Sequence, residues 1–470
     1  MSEQTINAGS VGNAPAPENK MGVMPIPKLL FTMAVPAICS MTLQAVYNVV
    51  DSIFVAQISE RALAAVTLVF PIQMLMIAVG VGTGIGINSL IARRLGEKRF
   101  DDANSAATHG FLLALLNWAV FLIFTIFFSG IFYRSFSESA DLVGQAISYS
   151  NIITGASLFI FTQVTCEKIL QATGNMLMPM ISNMIGCIVN IVLDPILIFG
   201  YFGFPQMGVQ GAAIATIIGQ FIGMMTISGF FFLRKHPVKV NFRNFKFSAQ
   251  IVKDIYNVGL PAMVMQAIPS FVNVFLNMIL LSFSEAAVSV LGVYFRIQSF
   301  VFMPVFGLNQ GSTPIMGYNY GAKNRERLMK TLKLSLLTAV VIMTIGLIIF
   351  QVFPGQIMSI FSATDEMLQM GKSAMRLLSL CFIPAAFGIV FSTLFQALGF
   401  GTYSLLMTLL RQLIIILPAA WILSKFLGVT GVWLAYPLAE IFSLTCAFFF
   451  FSRIYKRQIK TIPLQSEKKA

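Results

Sequence analysis

Charged residues and histidine are scarce in this 470-residue chain. Asp, Glu, Lys and Arg together make up 10% of the residues, and only two are histidine. Hydrophobic residues make up 57%, and the mean hydropathy is +0.82. So few polar side chains cannot cover the surface of a water-soluble domain of this size. The composition therefore excludes a soluble protein and predicts one that lies in a lipid bilayer.

The same scarcity argues against catalysis. His109 and His236 have no nucleophile, carboxylate or second ligand at a useful spacing, so the sequence predicts no enzyme. The cysteines show no metal-ligand spacing, and we expect all of them to be packing residues without a cofactor: Cys39, Cys166, Cys187, Cys381 and Cys446.

Glycines alternate at four positions, Gly80, Gly82, Gly84 and Gly86. A phosphate-binding loop would follow a strand and continue into Lys-Ser or Lys-Thr, and neither is present. We expect these glycines to let two membrane helices approach closely.

Acidic residues are fewer than basic ones, 18 against 31, which gives a net charge of +13. Lys and Arg collect in alternate loops, near residues 93–99, 234–246, 323–330 and 453–460. A nucleic-acid-binding protein would gather this charge on one patch, whereas topology-setting loops distribute it. We therefore expect no nucleic-acid partner, and we expect the basic loops and both termini to be cytoplasmic.

Apolar runs long enough to cross a bilayer as helices recur along the chain. We predict twelve, near residues 30–55, 63–91, 106–129, 142–165, 174–201, 208–233, 251–281, 287–317, 331–353, 367–394, 401–424 and 429–452. The polar residues 1–27 are expected to form a disordered cytoplasmic tail, not a signal peptide.

The second half of the chain repeats the first. Shifted by 225 positions, Pro36 falls on Pro261 and Asn48 on Asn273, and further matches follow: Gln73 with Gln298, Gly82 with Gly307, Gly86 with Gly311, Gly96 with Gly321, and Gly174 with Gly399. Six spans in each half give both halves the same orientation. The sequence thus predicts an all-α polytopic membrane protein with two parallel six-helix repeats and a cavity between them.

The expected domain boundaries follow from this repeat. A first lobe spans residues 28–233, a basic cytoplasmic linker 234–250 and a second lobe 251–455, and a cytoplasmic tail spans 456–470. Such a carrier needs only its bilayer and its small-molecule cargo, and we expect a monomer.

Two carboxylates stand inside predicted spans. Asp194 continues a polar stripe of Asn183, Cys187 and Asn190 at i, i+4, i+7 and i+11, and Asp51 lies three residues after Asn48. A carboxylate within a membrane helix costs at least about 2.5–3.5 kcal/mol, so it requires a proton, a cation or a function. The stripes predict either an oxygen-ligand site for Na⁺ or a proton-carrying carboxyl pair. Carboxylates that reach the headgroups from helix ends are the structural alternative.

The two halves differ at these positions. Under the shift, Leu276 replaces Asp51 and Ala419 replaces Asp194, so ion coupling is expected in the first lobe. The second lobe instead shows apparently buried bases and one acid, which are expected to form an ion pair or to touch substrate: Arg296, Arg376, Arg411 and Glu440.

Several polar residues in the spans are candidates for the cavity wall. They are the repeated pairs, the stripe asparagine and one base: Asn48, Asn273, Gln73, Gln298, Asn183 and Arg296.

Four segments resemble the multidrug and toxic compound extrusion (MATE) transporters, in particular their bacterial DinF-like and MepA-like branch. They are Val-Asp-Ser-Ile-Phe-Val at 50–55, Asn-Ile-Val-Leu-Asp-Pro at 190–195, residues 208–216 and residues 307–322. The resemblance extends from about residue 28 to 457 and implies a multidrug efflux antiporter in a bacterial inner membrane. Such a transporter exports organic cations and other amphipathic compounds, including antibiotics, in exchange for Na⁺ or H⁺.

The resemblance also implies a coupling-ion site. The matching positions are Asp51, Asn190, Asp194, Ala212 and Thr216, and Pro36 matches the proline at which the first helix is proposed to bend. Na⁺ and H⁺ both suit these oxygen atoms, and the choice stays open. Another branch carries coupling acids on its seventh and tenth helices, where this chain has Pro269, Ser270 and Arg376.

Two other carriers are alternatives. A lipid-linked oligosaccharide flippase of the wider superfamily would show a strongly cationic cavity and often extra helices. A major-facilitator carrier should have Gly-x-x-x-Asp-Arg between its second and third helices, where this chain has Arg-Arg-Leu-Gly-Glu-Lys-Arg at 93–99.

Overall fold

The computed structural model of the protein describes residues 19–58, 60–137, 139–234, 236–243, 245–361 and 364–463. Across these ranges the regular structure is helical, with no β-strand. The long helices are α1 (Ile26–Ala56), α2 (Glu60–Gly96), α3 (Phe100–Arg134), α4 (Ala140–Gly155 and Leu158–Ala172), α5 (Leu177–Phe199), α6 (Val209–Leu233), α7 (Ala249–Leu281), α8 (Glu285–Gly321), α9 (Arg325–Val352), α10 (Asp365–Ser379 and Phe382–Ala397), α11 (Gly401–Leu427) and α12 (Val429–Ile459).

Ten of these helices are continuous, and two are bent pairs. The two parts of α4 meet at 41°, and those of α10 meet at 44°. Counting each bent pair as one span gives the twelve spans expected from the hydropathy, within the part of the chain that the structure describes. Three spans also contain a wide π-helical turn: Phe124–Phe128 in α3, Leu410–Ile416 in α11 and Tyr455–Ile459 in α12.

The two halves also share helix bounds and backbone conformation at equivalent positions. Helices α2 and α8 each contain 37 residues and have the same bounds when the chain is shifted by 225. Gly174 and Gly399, which follow α4 and α10, both have φ of 92°. Lys98 and Lys323 share a left-handed conformation at equivalent turns, with φ of 60° and 52°. Two copies of one chain segment have therefore kept the same helix ends and turns.

Helices α1 and α2 of the first half pack against α7 and α8 of the second. The repeated glycines lie at these crossings. A Cβ atom on Gly307 would come within 2.7 Å of the Ile38 backbone, and one on Gly82 would lie 2.8 Å from the Gly259 carbonyl oxygen. Both distances are too short for a side chain, so glycine permits the helices to touch, as the sequence predicts for Gly82.

The two halves meet again where α2 and α8 end, which we call the basic end because Arg93, Arg94 and Arg99 lie there. A Cβ atom on Gly96 would overlap the carbonyl oxygen of Tyr318. A Cβ atom on Gly321 would overlap that of Arg93, the residue equivalent to Tyr318. Contacts between main chains therefore close the basic end.

The segment before α1 also joins the halves at the basic end. A short helix, Lys20–Val23, begins at Asn19, whose side chain accepts a hydrogen bond from Met21 N at 3.0 Å. Met21 is fully buried, and Arg327 of α9 donates to its carbonyl oxygen at 2.9 Å. The expectation of a disordered tail through residue 27 is wrong for residues 20–27, because this buried side chain and these bonds order them; residues 1–18 lie outside the described part.

The expected boundary at the other end of the chain also shifts. A tail was predicted from residue 456, but α12 continues through a π-helical turn to Ile459, which is fully buried. Its apolar contact with the second-half core orders the last turn.

Candidate functional site

A cavity of about 660 Å³ lies between the two halves. Eight glutamines and four asparagines form much of its wall: Gln44, Gln163, Gln171, Gln220, Gln266, Gln310, Gln396, Gln412, Asn88, Asn183, Asn190 and Asn309. Methionines 41, 265 and 407 and Phe306 add apolar surface. The wall can therefore hydrogen-bond a polar group and still contact an apolar one.

Equivalent positions of α4 and α10 face this cavity from opposite halves. Gln163, Val164, Glu167, Lys168 and Gln171 line it from α4, and their counterparts at 225 positions further on line it from α10: Gly388, Ile389, Ser392, Thr393 and Gln396. Only the α4 side carries charged groups. The wall is thus symmetric in position and asymmetric in chemistry.

Helices α5 and α6 bring four of the predicted ion-site residues together. With the Asn190 amide turned so that both its polar atoms are satisfied, its Nδ2 donates to Asp194 Oδ2 at 3.0 Å and its Oδ1 accepts from Thr216 N at 2.9 Å. Thr216 Oγ1 donates to the carbonyl oxygen of Ala212 at 2.9 Å. Asn190 and Thr216 line the cavity, and Asp194 is fully buried one turn beyond Asn190.

The glycines of α5 and α6 explain why these residues meet. A Cβ atom on Gly186 would lie 3.0 Å from the Gly219 carbonyl oxygen, and one on Gly219 would lie 3.1 Å from the Asn190 Cβ. Close packing of the two helices places Asn190 directly against Thr216. The oxygen atoms of this cluster are the kind that Na⁺ or a proton requires.

The two candidates on α1 cannot be placed. The side chains of Asn48 and Asp51 lie outside the described part of the structure, so the role of Asp51 stays a prediction. Helix α1 runs without a break through Pro36. The bend proposed at this proline stays a prediction.

Among the other cavity candidates, Asn183 lines the wall and four do not. Gln73 and Asn273 lie one turn beyond the lining residues Ile77 and Pro269 on the same helix faces. Gln298 lies two turns beyond Phe306, also away from the basic end, and Arg296 is exposed. Gln73, Gln298 and Asn273 therefore lie on helices that line the cavity but further from the basic end than its wall does.

One buried ion pair occurs among the described residues of the second half. Arg411 Nη1 donates to Glu440 Oε1 at 2.8 Å, which is the internal pair that the sequence suggests. Arg411 also lines the cavity. The expectation that Arg296 and Arg376 are buried is wrong, because Arg376 lies on the exposed face of the amphipathic helix Asp365–Ser379 and Arg296 on the exposed face of α8.

The sequence reading missed Glu167 and Lys168, which are only 7% and 8% exposed on the cavity wall. The predicted fourth span stops at residue 165, whereas α4 continues to Ala172. The signal was available: Gln163, Glu167 and Gln171 follow at i, i+4 and i+8, the same kind of polar stripe as on α5.

Glu167 belongs to a hydrogen-bonded chain across three helices. Gln163 Nε2 donates to Glu167 Oε1 and to Asn183 Oδ1, both at 3.0 Å. Asn183 Nδ2 in turn donates to Ser40 Oγ of α1 at 3.1 Å. These bonds fix α4, α5 and α1 beside the cavity and orient the Glu167 carboxylate.

The π-helical turn in α11 corrects the residue comparison between the halves. Before the turn, the buried Ser182 corresponds to the buried Met407, a shift of 225. After the turn, the buried Asn190 and Asp194 correspond to the buried Ile416 and Ala420, a shift of 226. A π-helical turn adds one residue, so the counterpart of Asp194 is Ala420 and not Ala419. The second half still has no acid at this place.

Comparison with known proteins agrees with this architecture. The MatE family model matches twice, over residues 36–196 and 261–422, more than half of the chain. The multidrug export protein MepA of Staphylococcus aureus (strain MSSA476) is 23% identical over 417 residues, 88% of this chain and 91% of that protein. A FAD transporter of Shewanella oneidensis is 26% identical over 435 residues, 92% of this chain and 95% of that protein.

Among solved structures, one described as the outward-facing conformation of a multidrug resistance MATE family transporter is similar. It has a TM-score of 0.88 and 28% sequence identity over 96% of this chain and all of that one. The family model, the relatives and the solved structures together define a multi-pass membrane transporter, not an enzyme. The chain belongs to the MATE family of transporters.

Proposed function

We propose that this transporter is a secondary active antiporter that exports organic cations and other amphipathic compounds in exchange for Na⁺ or H⁺. The observation that carries this proposal is the Asn190–Asp194–Thr216 cluster, which reaches the wall of a cavity between two halves. MepA, a relative by sequence, is named as a multidrug export protein. A bacterial inner membrane, cytoplasmic termini and a monomer are part of the proposal.

The closed basic end supports an alternating-access mechanism. If the positive loops are cytoplasmic, contacts at Gly96 and Gly321 separate the cavity from the cytoplasm in this conformation. An ion that enters from outside would meet Asn190 and Thr216 on the wall and Asp194 behind them. Binding of the ion would favour opening of the basic end only if the ion binds the conformation with that end open more tightly.

Competition for the first-half carboxylates would couple the two fluxes. A buried carboxylate is costly without a compensating cation or proton, so Asp194 favours an occupied site. A cationic substrate supplies the same compensation from the cavity. Ion and substrate would then exclude each other, and release of one would favour binding of the other.

The test is transport by the purified protein in liposomes. We expect rhodamine 123 to be driven by an imposed Na⁺ or H⁺ gradient in the wild type, and Asp194→Asn to lose this coupling. Glu326→Gln, at an exposed site in the first turn of α9, is the matched control and should transport as the wild type does. Undiminished gradient-driven flux in Asp194→Asn would contradict the proposal.

The flippase alternative is disfavoured by the charge of the wall. Its described ionisable groups include Glu167 as well as Lys168 and Arg411, and Arg411 is paired with Glu440. A strongly cationic cavity would need unbalanced bases. We expect the same liposomes not to accelerate the flipping of a fluorescent prenyl-diphosphate-linked sugar.

A further inference from the structure

We propose that Lys168 forms an anion subsite in the central cavity, so that the preferred cargo carries a carboxylate or phosphate group beside its cationic part. This substrate class rests on the export function proposed above and narrows it. Organic cations without an anionic group would be the weaker substrates.

The first observation is the position of the Lys168 ammonium group. Lys168 is only 8% exposed and lines the cavity. A buried ammonium group is costly unless a negative group compensates it, and this holds most strongly within a membrane. Such a cation on a cavity wall therefore favours an anionic ligand.

The second observation is that the partners of Lys168 are neutral. Its Nζ donates to Gln171 Oε1 at 3.0 Å and to Gln310 Oε1 at 3.4 Å. None of the ion pairs between described residues includes Lys168. Two amide oxygens hold the ammonium group in place, but they do not neutralise its charge.

The adjacent acid does not take this role. Consecutive side chains diverge by roughly 100° around a helix, so Glu167 and Lys168 attract each other electrostatically without forming a direct ion pair. The Glu167 carboxylate instead accepts a hydrogen bond from Gln163. Glu167 and Lys168 thus present separate charges to the cavity, which suits a molecule that carries both a positive and a negative charge.

The surroundings suit an anion in a further way. Gln171 and Gln310 each carry an NH₂ group that can turn toward an oxyanion once it displaces their carbonyl oxygens from the ammonium group. Gln310 belongs to the second half, whereas Lys168 and Gln171 belong to the first. An anion bound here would therefore contact both halves, which move relative to each other during alternating access.

This positive charge is present in the first half and absent at the equivalent position of the second half. The counterpart of Lys168 is Thr393, which also lines the cavity but is neutral. A ligand with one anionic group would therefore bind in a single orientation, with that group toward α4.

The test uses two dyes with the same ring system. Rhodamine 110 has a free carboxylate, and rhodamine 123 is its methyl ester. We expect the purified wild type to bind rhodamine 110 at least about ten-fold more tightly by fluorescence anisotropy, the usual gain from a hydrogen bond to a charged group. Equal or weaker binding of rhodamine 110 in the wild type would overturn the proposal without any variant.

Variants then assign the effect to Lys168. In Lys168→Met the affinity ratio of the two dyes should fall to about one, and Lys168→Arg should retain most of the preference because it keeps the charge. Lys333→Met, at an exposed site on α9, should leave the ratio unchanged. A preference that survives in Lys168→Met would exclude this residue as the subsite.

A second pair of probes distinguishes the anion chemistry. Competition by 4-methylumbelliferyl phosphate should exceed that by 4-methylumbelliferone if the subsite accepts phosphate as well as carboxylate. If neither rhodamine is transported under either gradient while the binding preference holds, the export function fails and the anion subsite stands. If both dyes are transported under a gradient but bind equally well, the export function stands and the anion subsite fails.

Discussion

Arg93 and Tyr318 occupy equivalent positions of the two halves, and each presents its carbonyl oxygen to the glycine that ends the opposite long helix. Arg93 O faces Gly321, and Tyr318 O faces Gly96. The basic end of the cavity is therefore closed by main-chain contacts in symmetric pairs. A side chain added at either glycine would have little freedom to adjust, because the carbonyl oxygen that it meets belongs to the backbone.

Enlarging one of these glycines should open the basic end. We expect Gly321→Ala to destabilise the closed conformation by about 1–3 kcal/mol, the usual cost of overpacking. The spin-label distance across the basic end should lengthen in double electron–electron resonance. Gly292→Ala in the same helix is the control, because a Cβ atom there has no neighbour within 4 Å. An unchanged distance in Gly321→Ala would show that these contacts do not hold the end closed.

The Arg411–Glu440 pair should behave as a coupled unit. Removing one partner leaves the other buried and uncompensated, which typically costs about 3–5 kcal/mol, although the cavity beside Arg411 should reduce this. We expect Glu440→Gln to lower the melting temperature more than the double variant Arg411→Gln/Glu440→Gln does. Additive effects of the two single substitutions would mean that the pair contributes no interaction of its own.

The short helix before α1 should depend on Arg327. Its Nη2 donates to the carbonyl oxygens of Met21 and Met24 at 2.9 and 2.7 Å. Losing hydrogen bonds from a charged group, each worth about 1.5–3 kcal/mol, should raise hydrogen exchange at residues 20–24 by at least about ten-fold in Arg327→Met. Lys330→Met, at an exposed site one turn further on, should leave exchange there unchanged.

The coupling ion should be visible in stability. A ligand that binds only the folded state at a hundred times its dissociation constant stabilises it by about 2.7 kcal/mol. We expect the wild-type melting temperature to respond to Na⁺ at constant ionic strength, or to pH near neutrality, and Asp194→Asn to respond to neither. An equal response in both proteins would place the ion elsewhere.

Hydropathy was sufficient to predict the spans because the bilayer requires long apolar helices, and the repeat was sufficient to predict two equivalent halves with a cavity between them. The position of the cavity along the length of the helices was harder to predict. Gln73 and Gln298 lie on helices that line the cavity, but its wall ends one to two turns before them. Which end is closed depends on the relative stability of two conformations, and a helical pattern does not contain that information.

Glu167 and Lys168 were missed for a different reason. Adjacent opposite charges near the end of a predicted span resemble a solvated helix end. Only the packing of α4 against α2, α6 and the cavity shows that both are buried. The spacing of Asn190 and Asp194 on one face of α5 is visible in the sequence, whereas Thr216 was expected only from the resemblance to MATE transporters.

The π-helical turn at Leu410–Ile416 makes α11 one residue longer than α5 between matching buried positions. A turn of this kind absorbs the extra residue, so Ile416 and Ala420 keep the buried face that Asn190 and Asp194 occupy on α5. Deleting one residue within the turn would therefore restore a regular helix without moving Ala420 off that face. An aspartate introduced at position 419 would lie about 100° away from it and could not copy the place of Asp194.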